Sequence, residues 1–243
     1  SVTIPKSVTT IGNSAFSGCT GLISVTVPDS VTTVGGSLFF NCTGLTSVTY
    51  GEGITKIGSY EFSGCTSLTE VNLPETLTMI DYQAFYGCTS LAEIDIPDGV
   101  TKIAIEAFTN CTNLTTVELP VSWTTTYRSS SYYSYVTPFK GCTKLTEITI
   151  PEGMTTIPSY AFSECMSLKN VNFPASVTSI GSYAFNGCTG LTGLDLPAGL
   201  TEIKDSAFRG CTGLTSISVP DSVTTIADYA FYGCTNLSSV KLS

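Results

Sequence analysis

The spacing of the ten cysteines constrains this chain more than any other feature of the sequence. Eight of the nine intervals between successive cysteines are 23 residues, and the remaining interval, from Cys111 to Cys142, is 31 residues. A leucine follows every cysteine by three residues, and a phenylalanine precedes every cysteine by three. A fixed period of this length indicates a repeat architecture, in which each unit buries its apolar side chains against its neighbours.

Each unit contains a short amphipathic segment that predicts a β-strand. Aliphatic residues such as Val25 and Val27 follow the leucine at a spacing of two, with a polar residue between them. Proline ends this segment in most units, and a second β-prone stretch follows, such as "SVTTI" at 222–226. A glycine or asparagine stands before most cysteines, as at Gly18 and Asn110, and suits a turn that needs a positive φ.

The recurring pattern L-x-x-V-x-L-P-x-x-V-T-x-I-x-x-x-A-F-x-G-C-T resembles the BspA-type leucine-rich repeat, whose units are also 23 residues long. The resemblance covers residues 1–243, apart from an insertion near residues 126–135. It implies a single leucine-rich repeat right-handed solenoid of about ten repeats. The fold is expected to be β-rich, with a parallel sheet on one face and short turns or helical segments on the other.

The same resemblance carries an expectation about function, although the repeat motif itself supplies only the scaffold. The family is known from surface-exposed proteins of host-associated anaerobic bacteria and mucosal parasites, and several members have been implicated in adhesion. The resemblance therefore implies an extracellular or cell-surface location and a binding role. A host or neighbouring-cell protein, or a glycan, is the kind of partner that it suggests.

Composition excludes several other classes of function. The formal net charge is −9 and there is no histidine. An acidic chain repels phosphate backbones, so nucleic-acid binding is not expected. Without histidine, Ser-His-Asp and Cys-His catalytic arrangements are impossible. No apolar run approaches the ~18 residues of a membrane span. We predict a monomeric, non-enzymatic solenoid with no cofactor and no membrane insertion in this segment.

The cysteines themselves allow disulfides, metal binding or buried free thiols. Stacked equivalents would lie close enough to bridge, but their Cβ vectors would run parallel. A row of equally spaced thiols does not converge on one metal ion, and the chain has no CxxC pair. Cysteine is also a frequent small hydrophobe of protein cores. The pattern favours buried free thiols and predicts no metal site.

The outward-facing strand positions, five and seven residues after each cysteine, form a candidate surface. They carry no acidic residue in the first two and the last two units, and they are acidic in the middle units, at Glu70, Glu93, Asp95, Glu118 and Glu147. Two interpretations are open: an acidic patch for a basic partner or a cation, or ordinary solubilising charge on a sheet. Two further acidic residues, Glu61 and Glu164, depart from the usual residue of their slots, and the sequence assigns them no role.

The 31-residue interval contains the one departure from the repeat, within "VSWTTTYRSSSYYSYVTPFKGC" at 121–142. Alignment places Trp123 in a core position and Phe139 on the invariant phenylalanine. The residues near 126–135 are surplus and rich in tyrosine and serine, which suit recognition surfaces. The candidate partner-binding residues are Tyr127, Arg128, Tyr132, Tyr133 and Tyr135.

Two functional hypotheses remain open for the whole chain. The first is a secreted or cell-surface binding module that presents the repeat face and the tyrosine-serine loop to a protein or glycan. The alternative is a structural spacer or stalk domain of a larger surface protein, with no ligand of its own. In that case the insertion is a tolerated extension of a turn, because lengthening a surface loop has a small entropic cost.

Overall fold

The computed structural model describes residues 2–127 and 137–242, which fold into a β-solenoid of short parallel strands. The strands that follow the leucines make up face I: β1 (Val2–Thr3), β3 (Ser24–Val27), β5 (Ser47–Tyr50), β7 (Glu70–Asn72), β9 (Glu93–Asp95), β11 (Thr116–Glu118), β13 (Glu147–Thr149), β15 (Asn170–Asn172), β18 (Ser216–Val219) and β20 (Ser239–Leu242). The strands that follow the prolines make up face II: β2 (Thr10–Ile11), β4 (Thr33–Val34), β6 (Lys56–Ile57), β8 (Met79–Ile80), β10 (Lys102–Ala104), β12 (Thr125–Tyr127), β14 (Thr156–Ile157), β16 (Ser179–Ile180), β17 (Glu202–Ile203) and β19 (Thr225–Ile226).

The register of the ladders repeats the period of the sequence. Val25 of β3 pairs with Val48 of β5, and Ile57 of β6 pairs with Ile80 of β8, at a separation of 23 residues in each case. Equivalent side chains are therefore stacked along the solenoid, although the hydrogen-bonded pairing of face I stops between β7 and β9 and between β11 and β13. The predicted parallel strands and solenoid are confirmed.

The prediction of helical segments is wrong, because the described residues form turns and short strands but no helix. Two recurring backbone positions explain why the units form no helix. The residue two before the phenylalanine and the residue before the cysteine both have positive φ, as at Tyr60 (57°) and Gly64 (76°). Left-handed residues four positions apart interrupt any right-handed helical run. Turns close instead, with the Cys65 N–H donating to the Phe62 carbonyl at 2.9 Å.

The glycine or asparagine before cysteine therefore has the expected positive φ, whereas the second left-handed position was not predicted. Serine, tyrosine, glutamine and glutamate occupy that second position, at Ser14, Ser37, Tyr60, Gln83, Glu106, Tyr160, Tyr183, Ser206 and Tyr229. For a residue with a Cβ atom, this conformation costs roughly 1–2 kcal/mol. The scaffold consequently stores backbone strain at one position in nine of its turns.

Replacing Ser206 with glycine is expected to stabilise the protein by about 1 kcal/mol. Ser206 has a φ of 54°, and its hydroxyl, in a residue only 1% exposed, lacks a hydrogen-bond partner among the described residues. Glycine relieves both penalties, and the freer unfolded chain offsets about 0.4–1 kcal/mol of the gain. Urea denaturation measures the change. Ser206→Ala, which keeps the Cβ atom, is the control, and an equal gain from alanine would contradict the strain at this position.

The core is built around a ladder of stacked phenylalanine rings. Neighbouring rings lie nearly parallel, and the centroids of Phe62, Phe85 and Phe108 are 5.1 and 5.0 Å apart. Trp123 is 1% exposed and packs edge-on against Phe139 and Phe162, at centroid distances of 6.4 and 5.9 Å. The indole N–H donates to the Thr125 carbonyl at 3.1 Å. The prediction that Trp123 is a core residue is confirmed.

The ladders also locate the surplus residues of the insertion. β12 pairs with β10 in the normal phase up to Tyr127, which lies opposite Ala104. The phase is regained at Pro138, whose carbonyl accepts the N–H of Phe108 at 2.8 Å. Thr126 and Tyr127 therefore belong to the repeat, and the surplus of eight residues lies between Tyr127 and Thr137.

The cysteines form a second ladder, in which each thiol joins one unit to the previous one. The Cys65 thiol donates to the Phe39 carbonyl at 3.0 Å, and the Cys111 thiol donates to the Phe85 carbonyl at 3.1 Å. All ten cysteines are free, and eight are buried, whereas Cys19 is exposed and Cys234 is partly exposed. The prediction of buried free thiols is confirmed for those eight.

A thiol titration should distinguish these environments. Burial raises the pKa of Cys65 to about 12 and shields the thiol, whereas Cys19 is exposed and Cys234 is partly exposed. Because the thiolate is the reactive form, only Cys19 and Cys234 should react rapidly with Ellman's reagent in the native protein. Unfolding in guanidinium without a reductant should expose all ten thiols, and a lower count would show disulfides and contradict the structure. Cys19→Ser is the control, which should remove one rapid thiol.

Candidate functional site

Face I carries the acidic residues that the sequence singled out, and all five are exposed. β7 positions Glu70, β9 positions Glu93 and Asp95, β11 positions Glu118 and β13 positions Glu147. Successive side chains of a strand point to opposite faces, so the aliphatic residue between two outward positions packs into the core. We call these five residues the acidic patch.

The strand register concentrates negative charge within the patch. Asp95 lies directly opposite Glu118 in the ladder between β9 and β11. Like charges directly opposite each other destabilise a sheet slightly, so the pairing of Asp95 with Glu118 does not contribute to stability. Glu118 and Glu147 also line one groove of about 480 Å³, together with Thr115, Thr116 and Thr149. The middle of face I therefore attracts cations.

Neighbouring amides hold two of these carboxylates in place. The Asn72 side chain donates to Glu70 Oε1 at 2.9 Å, and the Asn172 side chain donates to Glu147 Oε1 at 2.6 Å. The ion pairs within residues 2–127 and 137–242 are Lys56–Asp81, Lys140–Glu164 and Lys204–Glu202, and none includes the acidic patch. The described part of the chain thus leaves the charge of the patch without a paired cation.

Tyr127, the first of the candidate partner-binding residues, lies on face II and is half-buried. Its hydroxyl donates to Asp81 Oδ1 at 2.9 Å, and the Lys56 ammonium pairs with Asp81 Oδ2 at 2.8 Å. Burial is the main cause that raises the pKa of Tyr127, and the hydrogen bond to Asp81 raises it further. Burial alone would raise the pKa of Asp81, but hydrogen bonds from Lys56, the Tyr82 N–H and Tyr127 lower it. Tyr127 is therefore fixed on face II, away from the acidic patch on face I.

The remaining candidates of the insertion, Arg128, Tyr132, Tyr133 and Tyr135, lie outside the described residues. Their role in binding a partner stays a prediction. Glu164, which the sequence left without a role, has the positive φ of its turn slot (58°) and pairs with Lys140 at 2.6 Å.

Glu61 belongs to a buried polar pair that sequence reasoning missed. It is 1% exposed, and its Oε1 accepts the Tyr50 hydroxyl at 2.6 Å. The other oxygen, Oε2, is buried without a hydrogen-bond partner among the described residues. A Cβ atom on Gly58 would lie 2.9 Å from Oε2, so the glycine makes room for the carboxyl group. The signal was available in the sequence as two polar residues in slots that are apolar in the other units.

The chemistry of this pair does not amount to an active site. Burial raises the pKa of Glu61 to about 7, a value suited to general acid or base catalysis, although the Tyr50 hydrogen bond, the Gly58 N–H and the Lys56 charge oppose the rise. Glu61 is enclosed in the core, however, and a catalytic carboxyl must reach the substrate. Its proton can affect stability, but the carboxyl group is buried and does not line the neighbouring groove at Lys56 and Gly58.

The described residues also bear on two other kinds of site. In residues 2–127 and 137–242, no three histidine, cysteine, aspartate or glutamate side chains are placed to hold a metal ion. Within the same residues, no helix has the length and apolar character that a membrane crossing needs.

Comparison with solved structures identifies bacterial leucine-rich repeat proteins. A leucine-rich repeat protein from Bacteroides ovatus is 36% identical, with a TM-score of 0.76 over 98% of this chain and 62% of that one. A leucine rich cell surface protein from Faecalibacterium prausnitzii is 27% identical over 99% of this chain and 87% of that chain, with a TM-score of 0.47. A leucine-rich repeat protein from Eubacterium ventriosum is 21% identical, with a TM-score of 0.51 over 100% and 65% of the two chains, and shows the fold alone.

The chain thus spans less than two thirds of the length of the Bacteroides ovatus protein. Comparison with curated proteins gives no match. The BspA type Leucine rich repeat region matches in six copies, over residues 1–115, 78–137 and 136–243. These matches take in the whole sequence, including the 23-residue units on both sides of the insertion. The chain belongs to the BspA-type leucine-rich repeat family.

Proposed function

We propose that this chain is a non-enzymatic binding module of a bacterial surface protein, and that face I is its main recognition surface. The observation that carries the proposal is the acidic patch. Five exposed carboxylates lie on four successive strands of face I, and two of them, Asp95 and Glu118, lie directly opposite each other. No described cation forms an ion pair with any of the five. Such a surface steers a basic partner by complementary charge.

The fold and the family support this proposal. Ladders of buried phenylalanine, leucine and cysteine hold face I on a stiff scaffold, which reduces the ordering that binding requires. Membership of the BspA-type family supports an extracellular or cell-surface location and a protein or glycan partner. The tyrosine-serine insertion remains a second candidate surface, carried by the same scaffold.

A structural spacer is the second candidate function, and the continuity of the core favours it. The phenylalanine ladder crosses the insertion without interruption, with Phe108 and Phe139 stacked at 5.2 Å. A solenoid whose core continues in this way can hold another domain at a fixed distance without binding any ligand. The two functions differ in one respect: a binding module needs the outward side chains of its strands to contact a partner, whereas a spacer does not.

Binding to a panel of immobilised extracellular-matrix proteins and to a glycan array separates the two functions. The test variants are Glu93→Gln/Glu118→Gln/Glu147→Gln on face I and a deletion of residues 128–135. The control, Glu75→Gln/Asp221→Asn/Asp228→Asn, removes the same charge from exposed positions outside the acidic patch. We expect the control to bind like the native chain, and the face I variant to lose binding and its dependence on salt.

The other outcomes of this experiment count against the proposal. If no member of either panel binds the native chain, the spacer is the better description. If binding survives in the face I variant and disappears in the deletion variant, the insertion is the recognition surface. Equal binding by all the variants would remove both surfaces from consideration.

A further inference from the structure

Gly193 interrupts face I at the one outward strand position that glycine occupies in the repeats. Residues 193–195 stand where a face I strand would run between β15 and β18, but only a single bridge forms there, from Asp195 to Ser218. A Cβ atom built on Gly193 would meet no atom within 4 Å. Glycine inside a strand weakens the strand and often marks a close approach by a ligand or another chain.

A groove of about 420 Å³ lies on face I at this interruption, and we call it the Gly193 groove. This volume falls within the ~300–1,000 Å³ of sites for small ligands. Outward polar side chains from the flanking strands form its walls, and they are Glu147, Asn170, Asn172, Asp195, Ser216 and Ser218. Val171, Leu194 and Ile217 also border the groove, but they are almost fully buried, so the surface that the groove presents is mainly polar.

The charge of the groove selects the kind of occupant. Its lining contains the carboxylates of Glu147 and Asp195, and none of the described lysines and arginines lines it. The Asn172 amide donates to Glu147 Oε1 and thereby fixes the orientation of that carboxylate. An anionic ligand would be repelled, and an uncharged ligand would leave both carboxylates without a counter-charge. A guanidinium group supplies several donors in a planar fork that matches carboxylate geometry.

We propose that the Gly193 groove binds an arginine side chain of a partner protein. This inference rests on the proposed function of face I as a recognition surface and specifies the chemistry of the partner at one point on it. The acidic patch would steer the approach of a basic surface. The Gly193 groove would then receive one side chain from that surface, at the C-terminal side of the patch.

A single-residue probe tests the groove separately from the whole interface. The ¹⁵N-labelled chain is titrated with N-acetyl-arginine methylamide, and amide shifts are followed by NMR. We expect saturable shifts at Gly193, Asp195 and the side-chain amides of Asn170 and Asn172. The dissociation constant should be on the order of millimolar, because a single side chain contributes only a small binding free energy. N-acetyl-citrulline methylamide, a neutral isostere, should bind about tenfold more weakly or worse.

Three variants complete the test. Gly193→Val fills the groove with a strand-forming residue where there is open space, so it should fold at least as well as the native chain and lose the shifts. Asp195→Asn should weaken binding about fivefold or more. Glu75→Gln, which removes an exposed carboxylate outside both the groove and the acidic patch, should bind like the native chain.

Several results would overturn the inference: no saturable shift at Gly193, unchanged binding in Gly193→Val, or equal binding of citrulline and arginine. Shifts with methyl glucoside but not with arginine would assign the groove to glycans and overturn it as well. Failure of the arginine probe, with binding to the protein panel intact, would leave the proposed function of face I standing. If the arginine probe binds at Gly193 but no protein or glycan of the panel binds the chain, the proposed function as a binding module is contradicted and the inference about the groove is not.

Discussion

Replacing Phe108 with alanine is expected to lower the free energy of unfolding by about 3–5 kcal/mol. The ring is fully buried between Phe85 and Phe139, with centroids at 5.0 and 5.2 Å. Its loss leaves a cavity in the ladder that the flanking rings cannot fill without breaking their own stacking. Because each unit contacts only its neighbours, the lesion should also uncouple the two halves of the solenoid. Urea denaturation would then show two transitions in place of one.

Two matched variants serve as controls for this prediction. Phe16 is only partly buried and stacks on Phe39 alone among the described rings, at 5.8 Å, so Phe16→Ala should cost less than about 2 kcal/mol. Tyr132→Ala, within the insertion, should change stability by no more than about 0.5 kcal/mol. Comparable losses from Phe108→Ala and Tyr132→Ala would mean that the insertion is packed structure.

Raising the pH from about 4.5 to 7 is expected to remove about 3 kcal/mol of stability through Glu61 alone. The ordinary pKa of this carboxyl is 4.5, and burial raises the pKa to about 7 in the folded chain. The folded state therefore holds the proton more tightly than the unfolded state. Its stabilising effect is fully present below pH 4.5, falls as the pH rises, and is lost above pH 7. The size follows from 1.36 kcal/mol for each pKa unit and is an upper estimate.

The double variant Tyr50→Phe/Glu61→Ala isolates this effect. It places apolar residues in two slots that are apolar in the other units, and it avoids leaving the Tyr50 hydroxyl buried without its partner. The difference in urea midpoint between the native chain and the variant should change steadily from pH 4.5 to 7 and then level off. A difference that does not vary with pH would contradict the assignment to Glu61. Other carboxyl groups contribute equally to both chains and cancel.

The repeat and its packing could be predicted because they depend on the type of residue in each slot. A row of leucines and phenylalanines at a fixed period can be buried only by stacking, and this forces the parallel ladders. Trp123 was placed correctly for the same reason, since counting from Pro120 puts it in a core slot. The ladder of buried cysteines could be predicted because the cysteines recur at a fixed spacing, and thiols in such a row do not converge on one metal ion.

The left-handed position two residues before nine of the repeat phenylalanines could not be predicted in this way. Residues as different as Ser206, Gln83 and Tyr60 occupy it, and none of them prefers positive φ as glycine does. The closure of the turn imposes the conformation on whatever residue is present. The helical segments expected from the family resemblance failed for the same reason.

The candidate site was predictable only in part. The acidic patch followed from strand alternation, and the structure places all five residues on face I. The pairing of Tyr50 with Glu61 and the opening at Gly193 depend on how neighbouring units meet, which no single unit specifies. Gly193 was visible as a glycine in a strand slot, but the groove also depends on the outward side chains of β13, β15 and β18, which line it.

Hydrogen–deuterium exchange of a complex would show whether face I is the recognition surface. The complex is formed between the chain and whichever protein or glycan of the panel binds it. Slower exchange is expected at the amides of β9, β11 and β13, around Glu93, Glu118 and Glu147, with no change at β8 and β10 of face II. Slower exchange confined to face II, with β9, β11 and β13 unaffected, would contradict the role proposed for face I.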